Sequence, residues 1–245
     1  MGFHAVRPPM PSSMSEPRPN TVAIVDYGRG NLFSVKHACE RAGLVADITS
    51  RPAEILAADA VVLPGVGAFG DAMATLSTLD LVSCLKDVAA SGKILFGVCL
   101  GMQLLMTESR EFGRHRGLGL IDGEVVQLPD VDAGGEPVKV PQVGWNRIGS
   151  PDPARSASRW TGTPLEGLTE GEYMYFVHSF YCRPFDPGVV LSTTRYGGAE
   201  FCSTLRSGNI FACQFHPERS SFQGIRIYRN LSTLITRFTR EAQGV

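Results

Sequence analysis

KILFGVCLGMQLL, residues 93–105, decides the fold of this chain. It opens with a nearly all-apolar run, residues 93–98, which is typical of a central parallel strand covered on both faces. It continues without a spacer into LGMQLLMTES, residues 100–109, whose spacing predicts a helix. A buried strand that turns directly into a helix is the unit of a parallel α/β sheet. The segment therefore predicts an α/β fold with Cys99 at the carboxyl end of a central strand.

The chain before this segment repeats the alternation of strand and helix. Short β-rich runs predict strands at 22–26, 45–48 and 60–64. Helical spacing predicts helices at 31–43 and at 71–92, the second in two pieces. These elements together predict a mostly parallel central sheet with flanking helices.

The chain after Gly117 has a different character. Short strands separated by Gly, Pro and Asp favour antiparallel or mixed hairpins added to the same sheet. Residues 149–165 are rich in Pro, Ser and Gly and predict an exposed loop. Apolar residues from Phe222 to Phe238 predict one side of a C-terminal helix.

Composition and charge exclude several function classes. The 245 residues carry 23 basic and 24 acidic side chains, so no single-sign field favours nucleic acid or an anionic membrane as a partner. The longest stretch free of charge or strong polarity, residues 60–70, is shorter than the roughly 18 residues of a transmembrane helix. Residues 1–20 hold five prolines and lack the apolar run of a signal peptide, so we expect them to be a disordered tail. Residues 21–245 are expected to form one domain. The lack of a signal peptide also predicts a cytoplasmic location.

The six cysteines form neither a CxxC pair nor an alternation with histidine that suits zinc. We therefore expect no metal site. In a reducing compartment most of these residues are predicted to be buried thiols in the core. Only Cys99 has a setting that indicates chemistry.

That setting is the pattern G-x-C-x-G, formed by Gly97, Cys99 and Gly101. It is the thiol version of a nucleophile elbow, in which small residues permit a tight turn that lifts the nucleophile above the sheet. A helix N-terminus beneath the sulfur favours the thiolate. The alternative is a buried cysteine between two chance glycines.

A base and an orienting group follow the apolar strand IFACQF, at His216 and Glu218. Pro217 cannot continue a strand ladder, so the strand ends there. Residues two apart in extended chain point the same way, which lets the carboxylate hold the imidazole. An isolated His-Pro-Glu is often only a surface turn. Its position at a strand's carboxyl end, like that of Cys99, favours a shared cleft.

The third element is a glycine-rich stretch, PGVGAFG, residues 64–70, which follows the strand at 60–64. Glycines there let backbone N–H groups approach a developing oxyanion. The alternatives are a plain turn or a weak phosphate loop, although the stretch lacks the Lys-Ser/Thr of a P-loop.

Seven blocks resemble, in order, the motifs of the class I glutamine amidotransferases. The resemblance runs from Val22 to Phe238, and seven ordered blocks are far more specific than any one. The first block, and Met102 where relatives with other acceptors usually have histidine, indicate the members that serve histidine biosynthesis. The blocks are DYGRGN (26–31), PGVGAFGDAM (64–73), GVCLGMQLL (97–105), GLGLIDGEV (117–125), VPQVGWN (140–146), FVHSFY (176–181) and QFHPERS (214–220).

The resemblance implies a flavodoxin-like fold and a Cys99–His216–Glu218 triad that hydrolyses L-glutamine to glutamate and ammonia without a cofactor. It also implies a heterodimer, in which the ammonia passes to a (β/α)8-barrel cyclase subunit. The remaining implied residues fall into three groups: Gly67, Leu100, Gln103, Glu111, Ser179 and Phe180 around the glutamine; Gly65, Val66, Gly67 and Leu100 on the oxyanion side; and Asn31, Trp145, Phe176, Tyr181 and Arg219 on the cyclase-facing surface.

Two positions depart from the family pattern. Gln142 stands where many relatives have histidine, which argues against a base there, and Arg219 stands where many have lysine. His178, on an apolar strand, is interpreted as a hydrogen-bonded structural histidine rather than a second base. Two rival functions remain open: a catalytically silent binding protein on this fold, and a glutaminase that serves a different acceptor enzyme.

Overall fold

A seven-stranded sheet forms the centre of the computed structural model, which describes residues 19–152 and 156–243. Its strand order is β11-β12-β13-β4-β3-β1-β2, and the five strands from β13 to β2 run parallel. The first elements of the chain are β1 (Thr21–Val25), α1 (Leu32–Arg41), β2 (Val45–Thr49), α2 (Pro52–Ala57), β3 (Ala60–Leu63), α3 (Phe69–Thr78), α4 (Leu81–Ala90), β4 (Ile94–Val98) and α5 (Leu100–Leu104).

The later strands form the antiparallel edge of this sheet and two smaller sheets. Strands β11 and β12 pair antiparallel beyond β13, β10-β7-β5-β6 form a four-stranded sheet, and β8 pairs with β9. The elements are β5 (Met106–Ser109), β6 (His115–Arg116), β7 (Ile121–Gln127), β8 (Gln142–Arg147), α6 (Ser156–Trp160), β9 (Tyr173–His178), β10 (Phe180–Pro184), β11 (Val190–Tyr196), β12 (Ala199–Ser207), β13 (Ile210–Cys213) and α7 (Ser221–Gln243).

The inner parallel strands β3, β4 and β13 are apolar throughout because both faces of the sheet are covered there. In β4, Phe96 and Val98 belong to the cluster that packs against α1 and α7, whereas Leu95 belongs to the cluster against α3 and α4. Alternate side chains of a strand point to opposite faces, so a strand buried on both sides loses the polar alternation of a surface strand. The predicted α/β class and central parallel strand are confirmed.

The helix predicted over 100–109 is wrong in its second half. Helix α5 ends at Leu104, and Met106 begins β5, which pairs parallel with β7 at Ile121. A short apolar run carries no period that separates a buried strand from a buried helix, so the sequence could not place this boundary. The later strands are predicted to extend the central sheet, but only β11, β12 and β13 do so, and the others form the two smaller sheets.

The exposed loop predicted over 149–165 is also wrong in part. Residues 156–160 form α6, and Trp160 is buried with its indole N–H donating to the Leu191 carbonyl at 2.8 Å. Leu165 is fully buried as well. Two large apolar side chains anchored the segment although its composition is that of a loop.

The C-terminal helix α7 packs on the sheet through Ile227, Leu231 and Ile235, whereas Phe222 is 83% exposed and lies outside this apolar side. Of the predicted tail, residues 1–18 lie outside the described part of the chain. Asn20, its last residue, donates from its amide to the Thr236 hydroxyl at 2.7 Å. Among the described residues, no helix combines the length and apolarity needed to cross a membrane.

The six cysteines are all free and buried, which confirms the prediction of core thiols for those other than Cys99. Within residues 19–152 and 156–243, no group of three or more His, Cys, Asp or Glu side chains is arranged to hold a metal ion.

Candidate active site

Cys99 lies on a sharp turn between β4 and α5. Its backbone has φ 56° and ψ −111°, a strained conformation for a residue with a side chain, and such strain is stored where neighbouring structure enforces it. Gly101 supplies part of that enforcement, because a Cβ atom there would lie 1.7 Å from the Leu63 carbonyl oxygen in β3. At Gly97 a Cβ atom would lie 3.0 Å from the Gly101 backbone. The two glycines are therefore required by backbone contact and are not chance neighbours.

His216 and Glu218 follow β13, the strand next to β4. The Cys99 amide donates to the Cys213 carbonyl at 2.8 Å, which brings the two strand ends together. Pro217 then starts a single 3-10 turn. Within it, Nδ1 of His216 lies 2.8 Å from Oε1 of Glu218, and both side chains are almost fully buried. The carboxylate thus holds Nδ1–H and leaves Nε2 available for chemistry.

Electrostatics around His216 favour its charged form. Burial by itself lowers the pKa of His216, but the nearby Cys99 sulfur and the Glu218 carboxylate together raise it to about 10. The imidazolium form of His216 is therefore favoured near neutral pH. A positively charged imidazole beside a cysteine is an arrangement that activates a cysteine nucleophile.

The Cys99 sulfur has two polar neighbours that the motifs did not single out. Its Sγ lies 3.8 Å from the Val177 carbonyl oxygen and 3.8 Å from the side-chain amide nitrogen of Gln214. Oε1 of Gln214 accepts in turn from Nε2 of Gln103 at 3.2 Å. Gln214 was missed, although the sequence held a signal: it precedes His216 by two residues, so the two side chains leave the chain in the same direction.

A cavity of about 310 Å³ opens beside Cys99, near the lower end of the range for ligand pockets, about 300 to 1,000 Å³. This size suits a small metabolite. The predicted residues that line it are Val66, Gly67, Cys99, Leu100, Gln103, Glu111, Ser179 and Phe180, and those not predicted for it are Phe112, Pro141, Val177 and His178.

Glu111 lines this cavity with one carboxylate oxygen already engaged. Oε2 accepts from the Phe69 amide at 2.6 Å, and Phe69 is the first residue of α3. Ala68, which precedes that helix, provides no side-chain cap. Glu111 therefore caps α3 from across the cavity and ties the far wall to the glycine-rich loop that leads into the helix.

The glycine-rich loop, residues 64–68, lies against the elbow. The Leu100 amide donates to the Gly65 carbonyl at 3.4 Å, a long and weak hydrogen bond. Tyr27 fixes the start of the loop by donating to the Pro64 carbonyl at 2.8 Å. Gly67 has a φ of 100°, which only glycine adopts readily. The Leu100 amide, predicted on the oxyanion side, thus already donates to the loop and is not free to bind an oxyanion.

His178 lines the cavity, but its hydrogen bonding does not suit a group that transfers protons. Its Nδ1 lies 2.9 Å from the Phe180 carbonyl oxygen, so this nitrogen carries the proton. Burial, with a smaller contribution from the nearby His216, lowers the pKa of His178 to about 4 although the hydrogen bond to Phe180 opposes this, so the ring stays neutral. This geometry agrees with a structural histidine. Gln142 lies opposite His178 in the β8–β9 register and is buried.

The residues predicted for the cyclase-facing surface divide into two groups. Asn31, Trp145 and Arg219 are exposed, and Tyr181 is half-buried. Phe176 is fully buried against Phe201, Phe215 and His178, so its predicted place on the surface is wrong. The period of β9 explains the error: Phe176 shares its inward face with Met174 and His178, and side chains on the other face reach the surface.

Three side chains on this surface form a row. The Arg219 guanidinium lies 4.2 Å from the centre of the Tyr175 ring, a cation–π contact. The Tyr175 ring packs edge-on against Trp145, with the ring centres 6.0 Å apart. We call these residues the Trp145–Tyr175–Arg219 row. It places a positive charge beside the turn of residues 217–219, which we call the triad turn.

The family model for glutamine amidotransferase class-I matches residues 23–231. The chain therefore belongs to the class I glutamine amidotransferase family, as the seven sequence blocks predict. Among its curated relatives is imidazole glycerol phosphate synthase subunit HisH of Moorella thermoacetica, 45% identical over 214 residues that cover 87% of this chain and 95% of that protein. Subunit HisH of Rhodopirellula baltica is likewise 45% identical over 214 residues, covering 86% of this chain and 97% of that protein.

The fold likeness extends to distant solved structures. PurLQS from Thermotoga maritima covers 90% of this chain and 99% of its own matched chain, with a TM-score of 0.62 and 20% sequence identity. A structural similarity at 20% sequence identity shows the fold alone.

Proposed function

We propose that this chain is the glutaminase subunit of imidazole glycerol phosphate synthase, which hydrolyses L-glutamine and delivers the ammonia to a cyclase subunit. The single observation that carries the chemistry is the buried pair of His216 and Glu218, with Nδ1 and Oε1 2.8 Å apart, beside an elbow cysteine that lines a cavity of about 310 Å³. The HisH relatives at 45% identity support the particular reaction.

In the proposed reaction the Cys99 thiolate attacks the side-chain amide carbon of glutamine. The C–N bond breaks, the leaving nitrogen takes a proton from His216, and a γ-glutamyl thioester remains on Cys99. Water, deprotonated by His216, then attacks the thioester, so that glutamate leaves and the thiolate is restored. Glu218 holds the imidazole in one orientation throughout.

The oxyanion side is the part of the site that we propose to be regulated. The tetrahedral intermediate needs backbone donors, and the Leu100 amide is engaged with Gly65 in this structure. Gly65 to Gly67 must shift before that amide is free, and a loop with two glycines has the freedom to do so. Free glutaminase activity would waste glutamine, so the shift is coupled to a cyclase that carries its ligand.

The partner in this proposal is the (β/α)8-barrel cyclase subunit, in a heterodimer located in the cytoplasm. The cyclase combines the ammonia with a phosphoribosyl-formimino substrate to release imidazole glycerol phosphate and aminoimidazole carboxamide ribotide. The Trp145–Tyr175–Arg219 row supports docking at this face, because it is exposed and lies at the triad turn. Asn31 and Tyr181 complete the proposed contact surface.

The test is reconstitution with the cyclase subunit of the same organism and its ribotide substrate. We expect glutamate and imidazole glycerol phosphate in a ratio near one. The chain alone should turn over glutamine roughly 100-fold more slowly or worse, since a missing oxyanion donor costs about that much. Full glutaminase turnover by the isolated chain, unchanged by cyclase and ligand, would contradict the proposed coupling.

The same experiment separates the two rival functions. A catalytically silent binding protein would bind glutamine without producing glutamate in the presence of the cyclase. A glutaminase that serves another acceptor would remain slow when this cyclase is added.

A further inference from the structure

Two buried polar atoms behind the triad lack a hydrogen-bond partner. Within residues 19–152 and 156–243, Oε2 of Glu218 and the hydroxyl oxygen of Tyr228 are both buried and unpaired. Leaving such a group unpaired costs about 1–3 kcal/mol, and native interiors rarely accept it without reason. One of the two is a carboxylate acceptor and the other a phenol donor, so each offers what the other lacks.

The start of α7 brings the two residues together. Gly224 lies directly against the 217–219 turn, because a Cβ atom there would lie 1.8 Å from the Pro217 carbonyl oxygen. Tyr228 is four residues further along α7 and therefore lies on the same helix face. Helical side chains lean towards the N-terminus, so the Tyr228 ring points back over Gly224 towards the turn that holds Glu218.

The Tyr228 ring is fixed where it lies. Its side chain is fully buried, and it packs edge-on against Phe96 of β4 with the ring centres 6.1 Å apart. The hydroxyl of Ser220, which directly follows the 217–219 turn, is already engaged because it donates to the His216 carbonyl at 2.7 Å. Tyr228 is thus a buried donor that is free to serve the carboxylate.

Tyr228 also keeps its proton. Burial, followed by the charges of Glu218, Cys39 and Cys213, holds the pKa of Tyr228 well above its ordinary value. The phenol is therefore a donor at every pH at which the enzyme works. Hydrogen bonds in catalytic sites are often long in the absence of substrate and tighten in the reacting complex.

Resting on the proposed function, we propose that Tyr228 is a positioning residue whose hydroxyl donates to Oε2 of Glu218 in the reacting complex. The hydrogen bond fixes the rotation of the carboxylate, so that Oε1 stays aimed at Nδ1 of His216. It also supplies the donor that a buried carboxylate needs to remain charged while the imidazolium gives up its proton. Tyr228 acts through Glu218 and touches neither glutamine nor Cys99.

The test is Tyr228→Phe, which removes only the hydroxyl, assayed for glutamate production in the reconstituted complex. We expect kcat to fall on the order of tenfold while KM for glutamine is unchanged, because a positioning group acts on the chemical step. The acid limb of the kcat profile should move to higher pH, since the carboxylate loses a donor that favours its charged form. A merely structural role would leave both the limb and kcat per folded molecule unchanged.

A double-mutant cycle with Glu218→Ala makes the test specific. Once Glu218 is absent there is nothing for the hydroxyl to position, so adding Tyr228→Phe should change kcat less than about twofold. Equal fractional losses with and without Glu218 would overturn the proposal, as would an unchanged kcat for Tyr228→Phe alone. The matched control is Ser192→Ala, which removes another fully buried hydroxyl, bonded to Ser203 and Thr204, and should change stability only.

Cys99→Ala in the same assay separates this inference from the proposed function. If Cys99→Ala keeps glutaminase activity, the proposed function itself fails. If Cys99→Ala is inactive and Tyr228→Phe behaves as wild type, only the role of Tyr228 fails.

Discussion

The two sides of the cavity differ in how far they are assembled. The catalytic side, residues 97–101 and 214–218, is held by backbone contacts and buried hydrogen bonds that leave no room to move. The loop side, residues 64–68 and 178–180, carries a weak 3.4 Å hydrogen bond from Leu100 to Gly65 at its centre. The proposed nucleophile, base and orienting group are thus in place, whereas the proposed oxyanion donor is still engaged with the loop. In the proposed mechanism, movement of the loop therefore regulates a triad that is already assembled.

The largest expected effect lies on the catalytic side, at Cys99. Cys99→Ala should lower glutamine-dependent turnover by on the order of 10⁴ or more, because no other group can form the acyl intermediate. Ammonia-dependent synthesis by the cyclase should survive, which product assays with each nitrogen source will show. Cys202→Ala, at a buried thiol in β12, is the control and should change stability at most. Ordinary glutaminase activity in Cys99→Ala would refute the nucleophile.

The second effect tests whether the elbow is as rigid as its contacts indicate. Gly101→Ala places a Cβ atom 1.7 Å from the Leu63 carbonyl oxygen, so β3 or α5 must shift. We expect a loss of at least about 3 kcal/mol in the free energy of unfolding, measured with urea. Gly92→Ala is the control, since its φ of 78° is strained for alanine but nothing lies within 4 Å of the added atom. Equal losses in the free energy of unfolding for both variants would mean that the backbone around Gly101 can shift to accommodate the added atom, and that the elbow is not rigid.

The third effect concerns His178, on the loop side. Its folded pKa of about 4 lies below the ordinary value of 6.5, so the native state binds fewer protons than the unfolded chain. Stability is therefore full above pH 6.5 and is lost as the pH falls towards 4, by roughly 3 kcal/mol at pH 4. His178→Gln, which cannot charge, should flatten this part of the pH dependence of urea unfolding.

The control for His178 is His37→Gln, which removes a histidine whose side chain is 82% exposed. If His178→Gln retains the wild-type slope between pH 6.5 and 4, then His178 is not the neutral buried histidine described above.

The smallest effect is expected at Arg219, where the catalytic side meets the surface. The substitution Arg219→Lys keeps a positive charge at this position, but lysine lacks the planar group that stacks on Tyr175 and pairs with carboxylates. We predict that Arg219 pairs with an acidic residue at the mouth of the barrel. Arg219→Ala should weaken association about two- to fivefold, as expected for losing about 0.5–1 kcal/mol, or raise the ratio of glutamate to imidazole glycerol phosphate above one. A ratio near one with unchanged affinity would leave Arg219 as a solvated charge.

The sequence predicted the catalytic side better than the loop side, for a physical reason. Cys99, His216 and Glu218 are each fixed by neighbours within a few residues, and their strands are adjacent and parallel, so local spacing was enough. Glu111 reaches Phe69, 42 positions away, and no local pattern predicts that contact. The occupied Leu100 amide depends on how two loops pack, which spacing cannot express.

Two errors had signals that the sequence contained. The alternation along β9 places Phe176 on the face of Met174 and His178, so its burial could have been read from the pattern. Tyr228 belongs to the apolar side of α7, and its hydroxyl marks it as a residue in need of a partner. The boundary at Met106 had no such signal, because a buried strand and a buried helix have the same composition.

The buried cysteines set how this protein meets an oxidant. Burial raises the pKa of Cys39 and Cys202 to about 12, and it raises the pKa of Cys84, Cys182 and Cys213 as well. Peroxide attacks thiolates, so these five sulfurs are protected by protonation as well as by packing. Cys99, by contrast, lines the cavity, and it is the nucleophile of the proposed reaction. On that proposal, an oxidant that enters the cavity reaches the reactive sulfur first, so activity is lost before the fold is damaged.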